Sequence, residues 1–86
     1  MMELTKLPNI ENTLAEKLFK AGISTIKDLI KLGAEQAFLR LSIEDETSCF
    51  NMLCALEGAI QGIRWHGISK ERMNELKEFL RLKRIK

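Results

Sequence analysis

Hydrophobic positions recur along this chain at spacings of three and four, and nowhere alternate in the two-residue rhythm of a strand. Leu14, Leu18 and Ala21 share one face between Asn12 and Gly22, Ala15 and Phe19 widen it, and Gly22 is placed to stop the helix as a left-handed residue. Thr25 with Asp28 three positions on is an aspartate variant of a capping box. It opens a helix through Ile26, Leu29, Ile30 and Leu32 that Gly33 stops. Residues 34–41 set Ala34, Ala37, Phe38 and Leu41 on one face, and the acidic stretch Glu44, Asp45 and Glu46 reads as a solvated loop. Thr47 or Ser48 then caps a mostly apolar helix over residues 49–64 with Phe50, Leu53, Leu56, Ile60 and Ile63 inward. Ser69 caps a last helix from Lys70 that turns Met73, Leu76, Phe79 and Leu80 inward and ends in Arg81, Lys83, Arg84 and Lys86. The pattern predicts an all-α fold of five to six helices in a single domain over residues 1–86, with the helix over 49–64 at its centre.

That central helix carries three oddities. Gly58 and Gly62 alternate with Ala55 and Ala59, at a helix-propensity cost of up to ~1 kcal/mol per glycine, so a close neighbour is expected there. An intramolecular helix crossing is one such neighbour and a second subunit is the other. Glu57 lies among apolar and small residues, and burial demands a partner: an internal ion pair with Arg64 or Arg40, or a carboxylate that docks a partner protein. Trp65 follows the helix beside Gly67, where an indole plugs the bottom of a small core or displays a binding hot spot. Glu57, Gly58, Gly62 and Trp65 are therefore the candidate partner-binding residues.

Composition narrows the function. Eighty-six residues suffice for one core. The longest uninterrupted apolar run, from Met52 to Leu56, is far short of the ~20 residues that span a bilayer, and the first residues carry Glu3, Lys6 and Pro8 rather than a secretory leader. Cys49 and Cys54, five apart in one helical pattern, point in different directions and read as reduced core thiols, which implies a cytoplasmic setting. Their C-x4-C spacing with the sole histidine, His66, is not that of a zinc site. No nucleophile motif or Gly-rich phosphate loop is present, so neither an enzyme nor a bound cofactor is expected. The net charge of +2 is unevenly spread, with six basic against eight acidic residues through Ser48 and eight against four after it. Lys77, Arg81, Lys83, Arg84 and Lys86 form a basic cluster that suits DNA phosphates, an acidic protein face, or solvent.

Two resemblances add to this. The run Leu7-Pro8-Asn9-Ile10-Glu11-Asn12-Thr13-Leu14-Ala15-Glu16-Lys17-Leu18, continuing to Ala21-Gly22-Ile23, resembles a helix-hairpin-helix motif, whose Gly-hydrophobic-Gly turn brings main-chain N–H groups to a nucleic-acid phosphate. Both glycines are replaced here. Asn9 tolerates a left-handed backbone, whereas Glu11 sets a carboxylate where a phosphate oxygen would lie, or satisfies the helix start itself. A structural hairpin packing Ile10 and Leu14 inward is the competing reading.

The wider likeness is to the C-terminal domain of the TfoX/Sxy competence regulators. Asn51-Met52-Leu53-Cys54-Ala55-Leu56-Glu57-Gly58-Ala59-Ile60-Gln61-Gly62 with Trp65 resembles that domain's signature. Leu7-Pro8-Asn9-Ile10 and Leu32-Gly33-Ala34-Glu35-Gln36-Ala37 extend the likeness from Leu4 to about Leu80. The family usually has glycine at position 11 and proline at position 69. Full-length regulators carry a further N-terminal domain, and the expectation here is a stand-alone one. The resemblance implies an all-helical, helix-hairpin-helix or SAM-like domain without catalytic chemistry, acting in transcriptional control of DNA uptake by contact with a protein partner, such as a transcription regulator or a second copy of itself. The alternative is sequence-independent DNA binding through Lys6, Asn9, Lys17, Lys20, Lys77, Arg81, Lys83 and Arg84.

Overall fold

The structure, a computed structural model, describes residues 3–44 and 50–84. A 3₁₀ turn, Glu3–Lys6, leads into four α-helices: α1 (Asn12–Lys20), α2 (Ile26–Glu44), α3 (Phe50–Gln61) and α4 (Lys70–Arg84), with a second 3₁₀ turn, Trp65–Gly67, before α4. The count of four replaces the expected five to six. That count takes Ile26–Glu44 as one element, although Gly33, at φ 83° and ψ 165°, breaks the helical backbone inside it, as its placement in the sequence predicts. No strand occurs among the described residues. Cys49, Thr47, Ser48, Asp45, Glu46 and Lys86 lie outside them, so the cap, loop and thiol expectations that rest on these positions do too.

Local chemistry sets the boundaries. α1 ends where Gly22 takes φ 89°: the Gly22 N–H reaches the Phe19 carbonyl at 3.0 Å and the Ile23 N–H the Leu18 carbonyl at 2.8 Å, a Schellman closure sealed by buried Ile23. The same device ends α3. Gly62 at φ 76° donates to the Ala59 carbonyl and Ile63 to the Gly58 carbonyl at 2.9 Å, which stops the helix at Gln61, three residues before the expected end. α2 opens as expected on Thr25, whose Oγ1 accepts the Asp28 N–H at 3.0 Å, and the Glu3 carboxylate accepts the Ile26 N–H at 3.2 Å. α4 opens on Ser69, whose Oγ accepts the Arg72 N–H at 3.2 Å.

α3 is the middle rod, packed on α2, on α4 and on the second 3₁₀ turn. Leu53 and Leu56 meet Leu18, Ile23, Leu29, Phe38, Leu41 and Leu76 in one core. Each such side chain contributes about 1.5–3 kcal/mol by leaving water. Ala34, Ala37, Phe38 and Leu41 are buried together, as their spacing predicts. Phe19 and Ile30 are not inward: they stand 60% and 52% exposed, because each sits at the margin of its helix's apolar stripe. No described helix is long and apolar enough to cross a membrane.

Candidate interaction site

The N-terminal turn is fastened to the far end of α3 by one side chain. Asn9 adopts φ 69°, the left-handed conformation that asparagine tolerates. Its Nδ2 donates to the Ile63 carbonyl at 3.0 Å, with the Ala55 carbonyl at 3.5 Å, and its Oδ1 accepts the Trp65 N–H at 3.3 Å. Gly58 makes room for this: a Cβ there would lie 2.5 Å from Asn9 Nδ2, 2.8 Å from Ile63 O and 3.2 Å from Trp65 Cα. The close neighbour expected at Gly58 is therefore the chain's own turn. A Cβ on Gly62 would meet nothing within 4 Å among the described residues, and that glycine serves its positive φ instead.

Because the backbone at Trp65 is held against Asn9, the indole faces outward. It is 42% exposed and stacked on His66, ring centroids 4.1 Å apart and planes at 26°, and does not plug the core. The stack edges one of two adjoining depressions that share Asn9, Glu11 and Asn51 as walls: one runs over Thr13, Leu14, Lys17 and Met52, the other over Ala55, Arg64, Trp65 and His66, and end to end they make a groove beside α3. It is apolar around Leu14 and Met52 and polar at its far end, where Glu11 and Arg64 both line it. Glu11 is extended and makes no side-chain hydrogen bond to the start of α1, so the expected self-cap is not formed.

Across α3 from the groove, Glu57 is buried, and its partner is neither Arg64 nor Arg40 but Arg72 of α4 at 2.9 Å. Arg72 also clasps Glu35 of α2 through two bonds of 2.7 and 2.9 Å and reaches Glu75 at 2.9 Å, while Gln61 donates to the second Glu57 oxygen. The Arg72 guanidinium holds the Glu35 carboxyl below its usual range against the opposing effect of burial, and Glu35, then Glu57, raises Arg72 in turn. Nearby the Cys54 thiol lies 3.4 Å from Met73 Sδ. The Glu57 carboxylate is thus spent within the fold, joining α2, α3 and α4.

The remaining candidates are dispersed. Lys6 and Lys20 are exposed at the ends of the first 3₁₀ turn and α1, Lys17 lines the groove, and the Asn9 side chain is turned inward. On α4, Lys77 is exposed, Arg81 Nε donates to Glu78 Oε1 at 3.1 Å, Lys83 Nζ lies 5.9 Å from the Phe38 ring centroid, and Arg84 is the last helical residue. Sequence reasoning missed Arg72, Glu35 and the His66 stack. Only the need of Glu57 for a cation pointed toward Arg72. Among the described residues no three His, Cys, Asp or Glu side chains are grouped to hold a metal.

The residues that build this region are those of a known module. Residues 1–80 match the sequence model of the TfoX C-terminal domain. The chain belongs to that family. TfoX C-terminal domains are regulatory and non-catalytic, and the Asn9–Gly58 fastening and the Glu35–Arg72–Glu57 cluster show what several signature positions do for the fold. Two similar solved structures agree with it. One is the triclinic crystal form of an uncharacterized protein from Listeria monocytogenes, 46% identical, with a TM-score of 0.90 over 94% of this chain and 93% of that one. The other is a tetragonal crystal form of a protein of unknown function from the same organism, also 46% identical with a TM-score of 0.90, over 93% and 98%. No curated protein matches the chain.

Proposed function

We propose that this TfoX C-terminal domain is a non-enzymatic, cytoplasmic interaction module of competence-type transcriptional control, and that it grips a segment of a protein partner in the groove between α1 and α3. The observation that carries the reading is Trp65: the sole tryptophan is exposed, stacked on His66, and held by an internal backbone hydrogen bond at the polar end of a groove whose other end, at Leu14 and Met52, is apolar. Exposed aromatics of this kind dominate protein interfaces, where truncation of one costs ≥ ~2 kcal/mol, roughly 30-fold in affinity. Direct DNA binding draws less support, since Asn9 faces inward, Arg81 is paired with Glu78, and Glu71, Glu75 and Glu78 interleave with the cations of α4.

The test is a pull-down with immobilised wild type and Trp65→Ala, both checked by circular dichroism, alongside duplex-DNA titration at two salt concentrations. A defined protein retained by the wild type and lost from the variant is the expected result. Retention that ignores Trp65, or steeply salt-dependent DNA binding with no protein partner, overturns the reading.

A further inference from the structure

The first half of α2 carries a second surface that the groove does not include. Ile26 and Ile30 lie one helical turn apart on this segment, and Lys27 and Lys31 repeat the same spacing beside them. With Glu3 these four residues line one shallow depression. Ile26 is half-buried against the core, so the apolar centre is rigid, while Ile30 is more than half exposed. The Glu3 carboxylate accepts the Ile26 N–H and is one anion at the edge against two lysines, neither of which forms an ion pair among the described residues, so the face is net positive.

We propose that this face docks an acidic amphipathic helix of a partner protein, apolar side chains covering Ile26 and Ile30 and carboxylates meeting Lys27 and Lys31. A second copy of the chain packed symmetrically on this face would bring together two surfaces of the same net sign, each with two lysines against one Glu3, which charge complementarity disfavours. A nucleic-acid backbone would take the lysines but leave Ile30 in water, gaining nothing from the apolar centre. An extended strand would bring unpaired backbone groups onto a helix face that has no sheet edge to pair them, whereas a helix satisfies its own. Apolar residues flanked by cations one turn apart are the pattern by which helices choose oppositely charged helical partners.

The experiment uses the whole chain and two fluorescein-labelled synthetic helices of about five turns, each with leucines along one face and alanines elsewhere, one flanked by glutamates and the other by lysines. Anisotropy should show the glutamate helix binding at least about tenfold more tightly than its lysine twin. Ile30→Ser should weaken it by about the same factor, and K27E with K31E should reverse the preference, the lysine helix now binding better. Trp65→Ala should change neither, which separates this surface from the groove. All three sites are exposed, and thermal melts verify that the variants fold. Equal binding of the two helices, or none, overturns the proposal. So does a dimer in light scattering that Ile30→Ser disperses, which assigns the face to a second copy, or duplex-DNA binding that needs the lysines but not Ile30.

Discussion

Replacing Gly58 with alanine tests the packing account most sharply, because two large effects of opposite sign meet there. Mid-helix alanine is preferred to glycine by about 0.8–1.0 kcal/mol, so on propensity alone the substitution stabilises α3. The new methyl, however, would stand 2.5 Å from Asn9 Nδ2 and 2.8 Å from the Ile63 carbonyl oxygen. The amide can swing away, at the cost of its 3.0 Å bond to that carbonyl, worth about 1 kcal/mol. The Ile63 backbone cannot follow cheaply, since its own N–H is locked to the Gly58 carbonyl at 2.9 Å in the turn that ends α3. Overpacking of this kind costs about 1–3 kcal/mol. After the propensity gain, the net loss is about 1–3 kcal/mol, which for a domain of this size lowers Tm by roughly 5–20 °C. Far-UV circular dichroism melts and urea titrations of wild type, G58A, N9A and the double variant measure it. The double variant should cost less than the sum of the singles, because removing the Asn9 amide relieves the nearest collision. A G58A protein as stable as wild type, or more so, would refute the reasoning.

Other perturbations follow from the same geometry. Arg72→Met strands the buried Glu57 carboxylate and should cost about 2–4 kcal/mol, the lower part of the range reflecting the partial exposure of Arg72 and Glu35; pairing it with Glu57→Met should recover much of that loss in urea titrations. Since Arg72 depresses the Glu35 carboxyl below its ordinary 4.5, the stabilisation is complete above that pH and drains away as the pH falls through the lower folded value. Glu35→Gln should therefore flatten the acid limb of stability measured between about pH 5 and 3. Ser69→Ala removes the Oγ that accepts the Arg72 N–H and should cost about 1 kcal/mol without altering the groove.

What could be read in the chain beforehand was whatever depends on near neighbours. Gly22, Thr25 and Ser69 act on residues at most four positions away, and their roles follow from local geometry. Gly33 was legible as a helix break, and its φ of 83° makes it one, because the left-handed backbone that glycine adopts freely is a local property. Glu57 was legible as a problem whose solution was hidden, since Arg72 and Glu35 are themselves 37 positions apart in the chain, on different helices. Asn9 is the clearest case: its left-handed backbone is a property of asparagine, but its grip on residues 46 to 56 positions further along belongs to the tertiary fold. Phe19 was placed on the apolar face and Trp65 left between core and interface on hydrophobicity alone, which cannot tell a core residue from an interface residue.

The claim that a protein partner seats in the groove beside Trp65 is tested most directly by photo-crosslinking from within it. A benzophenone placed at exposed Asn51, on the groove wall, should capture one defined protein in cells, the same label at exposed Lys77 on α4 should not, and Trp65→Ala should erase the adduct. Equal capture from Lys77, or an adduct at Asn51 that survives the loss of Trp65, would contradict the account.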